Sequence, residues 1–384
     1  MVVPAKPVAA VMPALINALS GATTLCVIPE APAPSGSDWE AVLHLDQAPP
    51  ANVAALVATS GSTGQPHAVM LTAGALLAGA HAAIRRLDGP GAWLLALPVS
   101  SIGGLQVLIR SHMSGLDPVF LDRTTGFRPD AFAVATRELA AGLPHYTSLV
   151  PTQLRRIVDA GGVALDALAS FDAVLIGGAA LDGELRRAAE SAGARIVSTY
   201  GMTETSGGCV YDDVPLEGVH VRATSAGLRI GGEVVALGYH AEPAQTEKSF
   251  VDGWFQTRDI GSVDDSGRVS VTGRIDDVII SGGVNVAASA VEEVMRGRPE
   301  IADVAVLGRP DPEWGQAVIA LVVPAATAAQ IDLAELRTYV TTHLCAAAAP
   351  RAVLTVPALP YLHSGKLDRV AAQLLAAGCP DGSG

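Results

Sequence analysis

The sequence predicts an α/β protein: a large N-terminal domain of parallel-sheet α/β layers plus a β-rich lobe, then a small α+β C-terminal domain. Three observations carry this reading. Short β-branched runs alternate with Ala/Leu-rich helical stretches up to Cys209. From Val219 to Gly261 the helical pattern gives way to short strands separated by turn signals. Beyond residues 274–277 strands and helices alternate again, which divides the chain into domains 1–273 and 278–384.

Residues 51–59 read as a buried strand running into a loop. Residues 72–87 read as a helix, with Thr72 as its N-cap and Gly89-Pro90 beyond its end. Strands at 93–98, 145–150, 173–176 and 195–199 then alternate with helices at 105–112, 129–141, 151–160 and 182–192. Pro129 and Pro151 open their helices, where the missing N–H costs no hydrogen bond. In the β-rich lobe, Ala226-Gly227, Gly231-Gly232 and Asp252-Gly253 mark turns, and 268–272 is one more strand, which suggests a small distorted barrel. The C-terminal domain reads as helices 289–296, 333–343 and 368–377 with strands 301–307, 317–323 and 352–356, and 378–384 as a frayed tail.

Composition narrows the function. The 384 residues carry 25 Lys+Arg against 38 Asp+Glu, a net charge of −13. This excess, with no basic stripe, excludes nucleic acid as a partner. An anionic ligand must be held by local Arg, Lys, backbone N–H groups or a metal. No run of ~18–20 apolar residues is free of charge or turn residues, so no membrane insertion is expected. Residues 1–22 hold a single Lys6 and prolines at 4, 7 and 13, which break any signal-peptide core, and a cytoplasmic protein is expected. Cys26, Cys209, Cys345 and Cys379 form no C-x-x-C pair and read as inert thiols. The histidines His81, His112, His220, His240, His343 and His363 lack metal-ligand spacing. Only Lys6, Lys248 and Lys366 are lysines among the 25 basic residues, so a lysine inside a glycine-containing motif stands out.

Four blocks carry chemistry. The first, Thr59-Ser-Gly-Ser-Thr-Gly-Gln-Pro66, follows a strand. Its glycines let successive N–H groups converge on an anion, and Ser60, Ser62 and Thr63 add hydroxyl donors. It lacks the lysine of a Walker A loop, and by itself it also fits a plain surface turn. The second, Thr199-Tyr-Gly-Met-Thr-Glu-Thr205, offers a ring for stacking (Tyr200), a hydroxyl for phosphate (Thr203) and a carboxylate for Mg²⁺ (Glu204). The third runs from Gly253 to Gly261 and from Gly273 to Asn285. There Asp259 can accept two ribose hydroxyls and Arg274 can donate to ribose or phosphate. The fourth, Leu359-Pro-Tyr-Leu-His-Ser-Gly-Lys-Leu-Asp-Arg369, holds Lys366.

Together and in this order, the four blocks resemble the signature motifs of the adenylate-forming superfamily of acyl-CoA ligases, adenylation domains and luciferases. Tyr146–Leu154, Gly177-Gly-Ala-Ala-Leu181 and Tyr200–Tyr211 further resemble the o-succinylbenzoate–CoA ligases of menaquinone biosynthesis. The resemblance implies three small-molecule substrates, o-succinylbenzoate, ATP and coenzyme A, with Mg²⁺ as cofactor, and a homodimer as the common assembly. It implies that Ser60, Gly61, Ser62, Thr63 and Gly64 wrap the ATP phosphates, and that Gly178, Ala179, Tyr200 and Gly201 line the adenine. It gives Thr203 a phosphate contact, Glu204 the metal, and Asp259 and Arg274 the ribose. Asp276 becomes a hinge for a mobile C-terminal domain, Gly282 and Gly283 face coenzyme A, and Lys366 joins Thr203 and Glu204 as a catalytic residue.

Two departures stand out. Pro66-His67 replaces the family's Pro-Lys, so ATP binding is expected to be weaker or pH-dependent. Ser100-Ser101 stands where relatives carry an aromatic or His, at the border of the acyl pocket. Arg110 is either a solvated helix arginine or the bidentate partner of a substrate's second carboxylate. His145, Ser148 and Thr152 are candidates for the same pocket. Three alternatives stay open: another aryl or dicarboxylic acid as substrate, a carrier protein as acyl acceptor, and a nucleotide-binding relative without catalysis.

Overall fold

The computed structural model describes residues 2–4, 10–29, 33, 38–59, 66–124, 126–325, 331–361 and 367–378. The chain forms two compact units: 1–222 with 229–257 and 263–269, and 223–228 with 258–262 and 270–384. Among the described residues no helix is long and apolar enough to cross a membrane.

Two sheets lie wholly within the first unit. One runs in the order Val2–Pro4, Leu25–Ile28, Val53–Thr59, His67–Thr72, Gly238–Tyr239, parallel across its first three strands and antiparallel after them. Its first two strands are only three and four residues long, too short to show a period, and the sequence reading assigned neither. The other has seven strands: Val214–Pro215, Gly207–Tyr211, Ile196–Met202, Ala173–Ile176, His145–Leu149, Ala92–Leu95 and Val119–Phe120. The last five of these are mutually parallel, as strand–helix alternation requires.

Local chemistry explains the helices of this unit. Ala73–Arg86 starts where the Thr72 hydroxyl accepts the Ala75 N–H at 3.0 Å, a cap worth about 1 kcal/mol. Its small residues Ala75, Gly79, Ala80 and Ala83 form the buried face. Pro129–Thr136 is shorter than expected because the next N–H groups bond three residues back, Arg137 to Val134 and Glu138 to Ala135. Phe132, Leu149, Leu154, Ile157, Phe171 and Val174 form a common core between helices and sheet. The β-rich region is a four-stranded sheet and a separate two-stranded pair, Asp259–Val263 with Val269–Arg274, rather than one barrel.

The second unit is built on the antiparallel pair Ile301–Asp311 and Gly315–Pro324. Side chains alternate along it. Val304, Val306, Val318, Ala320 and Val322 face the helices Ala288–Arg296 and Leu333–His343. Ala305, Leu307 and Leu321 pack with Ala372 and Ala376 of Arg369–Gly378. Buried in this unit, Glu292 accepts the Val306 N–H at 2.9 Å and lies 3.4 Å from Arg296 and 3.6 Å from Arg369. Arg369 also pairs with Asp277 at 2.9 Å.

Burial pushes the Glu292 and Asp277 carboxyls above their ordinary range, and the arginines only partly offset this. A carboxyl with a raised folded pKa holds an extra proton in the folded state. Its contribution is therefore full below the unfolded pKa and is lost as pH rises through the folded one. Glu292→Gln keeps an acceptor for Val306 and removes the titration. The Tm of the variant relative to the unsubstituted protein is expected to rise between about pH 4 and about pH 7.5. A pH-independent difference in thermal unfolding contradicts the assignment.

Candidate functional site

In an open parallel sheet, ligands bind beyond the carboxyl ends of the strands. The first unit collects polar groups at that edge. Ala173–Ile176 leads into Gly177-Gly178-Ala179, and Ile176 pairs with Ser198 on the neighbouring strand. A Cβ on Gly177 would sit 2.3 Å from the Thr199 hydroxyl oxygen and 3.0 Å from its carbonyl oxygen, so glycine leaves the room that Thr199 fills. Gly178 adopts φ +84°, and Gly178 and Ala179 are exposed beside the strand that carries Tyr200 and Gly201. This strand continues to Met202, three residues beyond expectation, because Gly201 pairs with Gly208 and Tyr200 with Val210. A Cβ on Gly201 would lie 2.1 Å from the Gly207 carbonyl oxygen.

The chain then makes a single tight turn, Thr203–Thr205, framed by hydrogen bonds. The Thr205 hydroxyl accepts the Met202 N–H at 3.0 Å and donates to the Gly207 carbonyl at 2.9 Å. Ser206 sits at φ +56°, and its hydroxyl donates to the Val234 carbonyl at 2.8 Å. Gln106 reaches from the helix Ile102–Met113 to donate to the carbonyls of Ser206 (2.8 Å) and Leu76 (3.1 Å). The Ala236 N–H donates to the Glu204 carbonyl at 2.9 Å. Thr203 is buried and the Glu204 side chain half-buried.

Glu204 Oε1 accepts the Tyr239 hydroxyl at 2.9 Å. Burial first, and the Glu204 charge second, push the Tyr239 phenol far above its ordinary pKa, so it stays a donor. The Tyr239 ring lies 5.1 Å from that of His67, whose Nδ1 is 2.8 Å from both Glu242 carboxylate oxygens. His67 pairs with Thr59 in the sheet. The residues between them that were assigned to phosphate, Ser60, Gly61, Ser62, Thr63 and Gly64, lie outside the described residues. Among the described residues, no three His, Cys, Asp or Glu side chains gather as a metal cage. One anchored carboxylate on a framed turn suits Mg²⁺, which takes one or two protein carboxylates and completes its shell with phosphate and water oxygens.

A second cluster lies behind the same edge. Arg110 is 4% exposed. Its Nε donates to the Gln106 carbonyl at 3.0 Å, and its two terminal nitrogens to Tyr211 Oη and Ser148 Oγ, each at 3.3 Å. The guanidinium covers the Trp93 ring at 4.2 Å, and the Trp93 indole N–H has no acceptor among the described residues. All these partners are neutral. Burial holds the Arg110 pKa below its ordinary value and pushes that of Tyr211 up. Among the described residues the cluster therefore holds a buried cation with no counter-ion and an indole N–H with no acceptor.

The other pocket candidates fall elsewhere. Ser101 caps Ile102–Met113: its hydroxyl accepts the Gly104 N–H at 3.2 Å and donates to the Pro98 carbonyl at 2.7 Å. Ser100 lines a narrow hollow with Val57, Val99 and Leu105. His145 begins the strand His145–Leu149, about 10 Å from Ser148 at ~3.3 Å per residue, and lies 3.0 Å from the Ala140 carbonyl. The structure thus joins Ser148 to Arg110 and leaves His145 at the opposite end of the strand. Tyr211 closes the Tyr200–Tyr211 motif, but the sequence assigns it no role, and no local pattern marks Trp93, Tyr239 or Glu242.

In the second unit, Arg274 pairs with the buried Asp259 at 2.9 Å and reaches Asp276 at 3.5 Å. Arg258 grips both Asp276 oxygens from Nε, at 2.6 and 2.7 Å. Asp259, Arg274 and Asp276 are therefore one charge cluster. Gly282 and Gly283, both at positive φ, line an open hollow of about 710 Å³ with Trp314 and Gln316, and Arg351 covers the Trp314 ring at 3.6 Å. Lys366 lies outside the described residues. The positions flanking its loop are joined: Tyr361 bridges Leu367, the Asp368 N–H donates to the Pro360 carbonyl at 2.8 Å, and the Tyr361 hydroxyl donates to Asp303.

Comparisons with known proteins agree with this arrangement. Residues 6–240 match the family model described as AMP-binding enzyme, and residues 290–366 match the AMP-binding enzyme C-terminal domain. The chain is 44% identical over 324 residues to the probable 2-succinylbenzoate–CoA ligase of Mycobacterium tuberculosis, covering 83% of this chain and 84% of that one. It is 30% identical over 350 residues to the 2-succinylbenzoate–CoA ligase of Listeria monocytogenes, covering 87% and 72%. Among solved structures it is similar to an o-succinylbenzoate–coenzyme A synthetase from Bacillus subtilis in complex with ATP and magnesium ion. There the TM-score is 0.73 and the identity 26%, over 84% of this chain and 70% of the other.

Proposed function

We propose, from the premise that this chain belongs to the AMP-binding enzyme family, that it ligates o-succinylbenzoate to coenzyme A at the expense of ATP, as a step of menaquinone biosynthesis. The carboxylate oxygen attacks the α-phosphorus, the bond to pyrophosphate breaks, and an acyl-adenylate forms. The coenzyme A thiol then attacks the acyl carbon, loses its proton, and AMP departs with the electron pair of the broken bond. The observation that carries the substrate assignment is Arg110, a buried guanidinium whose hydrogen-bond partners among the described residues are all neutral, lying over the ring of Trp93, whose N–H finds no acceptor there. A dicarboxylate reacts through one carboxylate and must be recognised through the other, and a planar fork of donors suits that second group.

The remaining roles belong to the same reading. Both reactants are anionic, so the protein's task is alignment and charge compensation rather than nucleophilic attack. Ser60, Gly61, Ser62, Thr63 and Gly64 hold the ATP phosphates through N–H and hydroxyl donors. Gly178, Ala179, Tyr200 and Gly201 face the adenine, and Thr203 donates to phosphate. Asp259 accepts the ribose hydroxyls, oriented by Arg274. Glu204 holds Mg²⁺, which when bound neutralises charge on phosphate oxygens. Lys366 holds the reacting carboxylate and the α-phosphate in the first step. Asp276 then serves as the hinge about which 278–384 moves, and Gly282 and Gly283 face coenzyme A in the second. The reading includes a cytoplasmic enzyme, where ATP and coenzyme A are available, and a homodimer by analogy with the superfamily.

The direct test supplies the purified enzyme with ATP, Mg²⁺, o-succinylbenzoate and coenzyme A. AMP and the o-succinylbenzoyl thioester are expected together by mass spectrometry, and absence of AMP contradicts the function. Arg110→Gln is expected to raise the KM for o-succinylbenzoate by roughly 30-fold or more, because truncating one side of a buried charge pair costs about 2–5 kcal/mol. The KM for ATP should stay within about twofold, and equal effects on both substrates remove Arg110 from the acyl site. Lys366→Ala is expected to abolish adenylate formation while still converting supplied acyl-adenylate to thioester. Matching losses in both half-reactions contradict the role of Lys366.

A further inference from the structure

The Glu204 carboxylate is held by a group that no motif marks. Tyr239 lies in the two-residue strand Gly238–Tyr239, paired with Val69 on the strand that begins at His67. It is 6% exposed, and its backbone N–H donates to the Thr246 hydroxyl at 2.9 Å. Its ring is wedged between His67, at 5.1 Å, and Phe250, at 5.4 Å. Glu242 in turn holds the His67 Nδ1 with both carboxylate oxygens at 2.8 Å. The hydroxyl of this fixed ring donates to Glu204 Oε1 at 2.9 Å.

We propose that Tyr239 is a positioning residue for the divalent cation: its O–H fixes the rotation of the Glu204 carboxylate, and the His67–Glu242 pair fixes the ring. The inference rests on the reading of Glu204 as the magnesium ligand. A half-buried glutamate on a turn has side-chain torsions to lose on binding a cation, and a preformed hydrogen bond removes part of that cost. Partners that orient a metal-binding carboxylate typically contribute a factor of about 10–100 in metal affinity. The histidine in place of the family's lysine thus acquires a role: it braces the tyrosine that orients the metal ligand.

The test measures Mn²⁺ binding to the full-length enzyme by electron paramagnetic resonance, with a non-hydrolysable ATP analogue and no acyl substrate. Tyr239→Phe keeps the ring and removes only the hydroxyl. It is expected to weaken Mn²⁺ binding in the nucleotide complex about tenfold and to leave nucleotide affinity in EDTA unchanged. Glu204→Gln is expected to weaken Mn²⁺ at least as much. If Glu204→Gln weakens Mn²⁺ but Tyr239→Phe does not, Tyr239 only packs and the proposal fails alone. If Glu204→Gln has no effect on Mn²⁺, the reading of Glu204 fails and the proposal falls with it. If Tyr239→Phe weakens the analogue equally in EDTA, the hydroxyl acts on the nucleotide site itself, which also overturns the proposal.

Discussion

A guanidinium sealed among neutral groups is an expensive arrangement, and on the proposed reading Arg110 sets the terms for the acyl site. Burying an ion without a counter-ion costs several kcal/mol unless hydrogen bonds and a ligand compensate. Here the Gln106 carbonyl, the Tyr211 and Ser148 oxygens and the Trp93 face compensate in part. The chain carries 13 excess negative charges, yet none of the described carboxylates is paired with this cation. On the proposed reading this cation receives the second carboxylate of the substrate, and its depth suits an anion that arrives on an apolar stem.

The parallel sheet makes this affordable in space. Its carboxyl edge presents Gly177, Gly178, Tyr200 and the turn at Thr203–Thr205 side by side. Gly201 lets the backbone of Gly207 and Gly208 approach, and Gly177 leaves room for the Thr199 side chain. The turn itself is over-determined by Thr205, Ser206, Gln106 and Ala236. Gln106 and Arg110 stand one turn apart on a single helix, so one element fixes both the turn and the buried guanidinium. Rigidity of this kind suits a reaction in which alignment of two anions is the main task.

Much of this was legible because it is local. Ala173–Ile176, bounded by Gly177-Gly178, and Leu333–His343 fall on the residues read as strand and helix, and Thr72 caps its helix as its hydroxyl predicts. The motif order identified the family because the motifs are short contiguous runs, one of them in two pieces. What escaped depends on register and on distant pairing. Tyr239 meets Glu204, and Glu242 meets His67 across 175 positions, only once the sheet order is known. The sequence suggested His145 and Ser148 as pocket partners of Arg110. Strand direction separates them, because residues at the two ends of one strand serve opposite edges of the sheet. Ser101 shows the same limit: a hydroxyl next to a helix start is claimed by the cap before any ligand.

The most direct measurement is a crystal structure of the enzyme with the o-succinylbenzoyl-adenylate bound. The account predicts the free carboxylate of the acyl group within about 3 Å of the Arg110 guanidinium, with the Trp93 N–H within reach of the same anion. A free carboxylate seated elsewhere, with Arg110 still bonded only to Gln106, Tyr211 and Ser148, would contradict it.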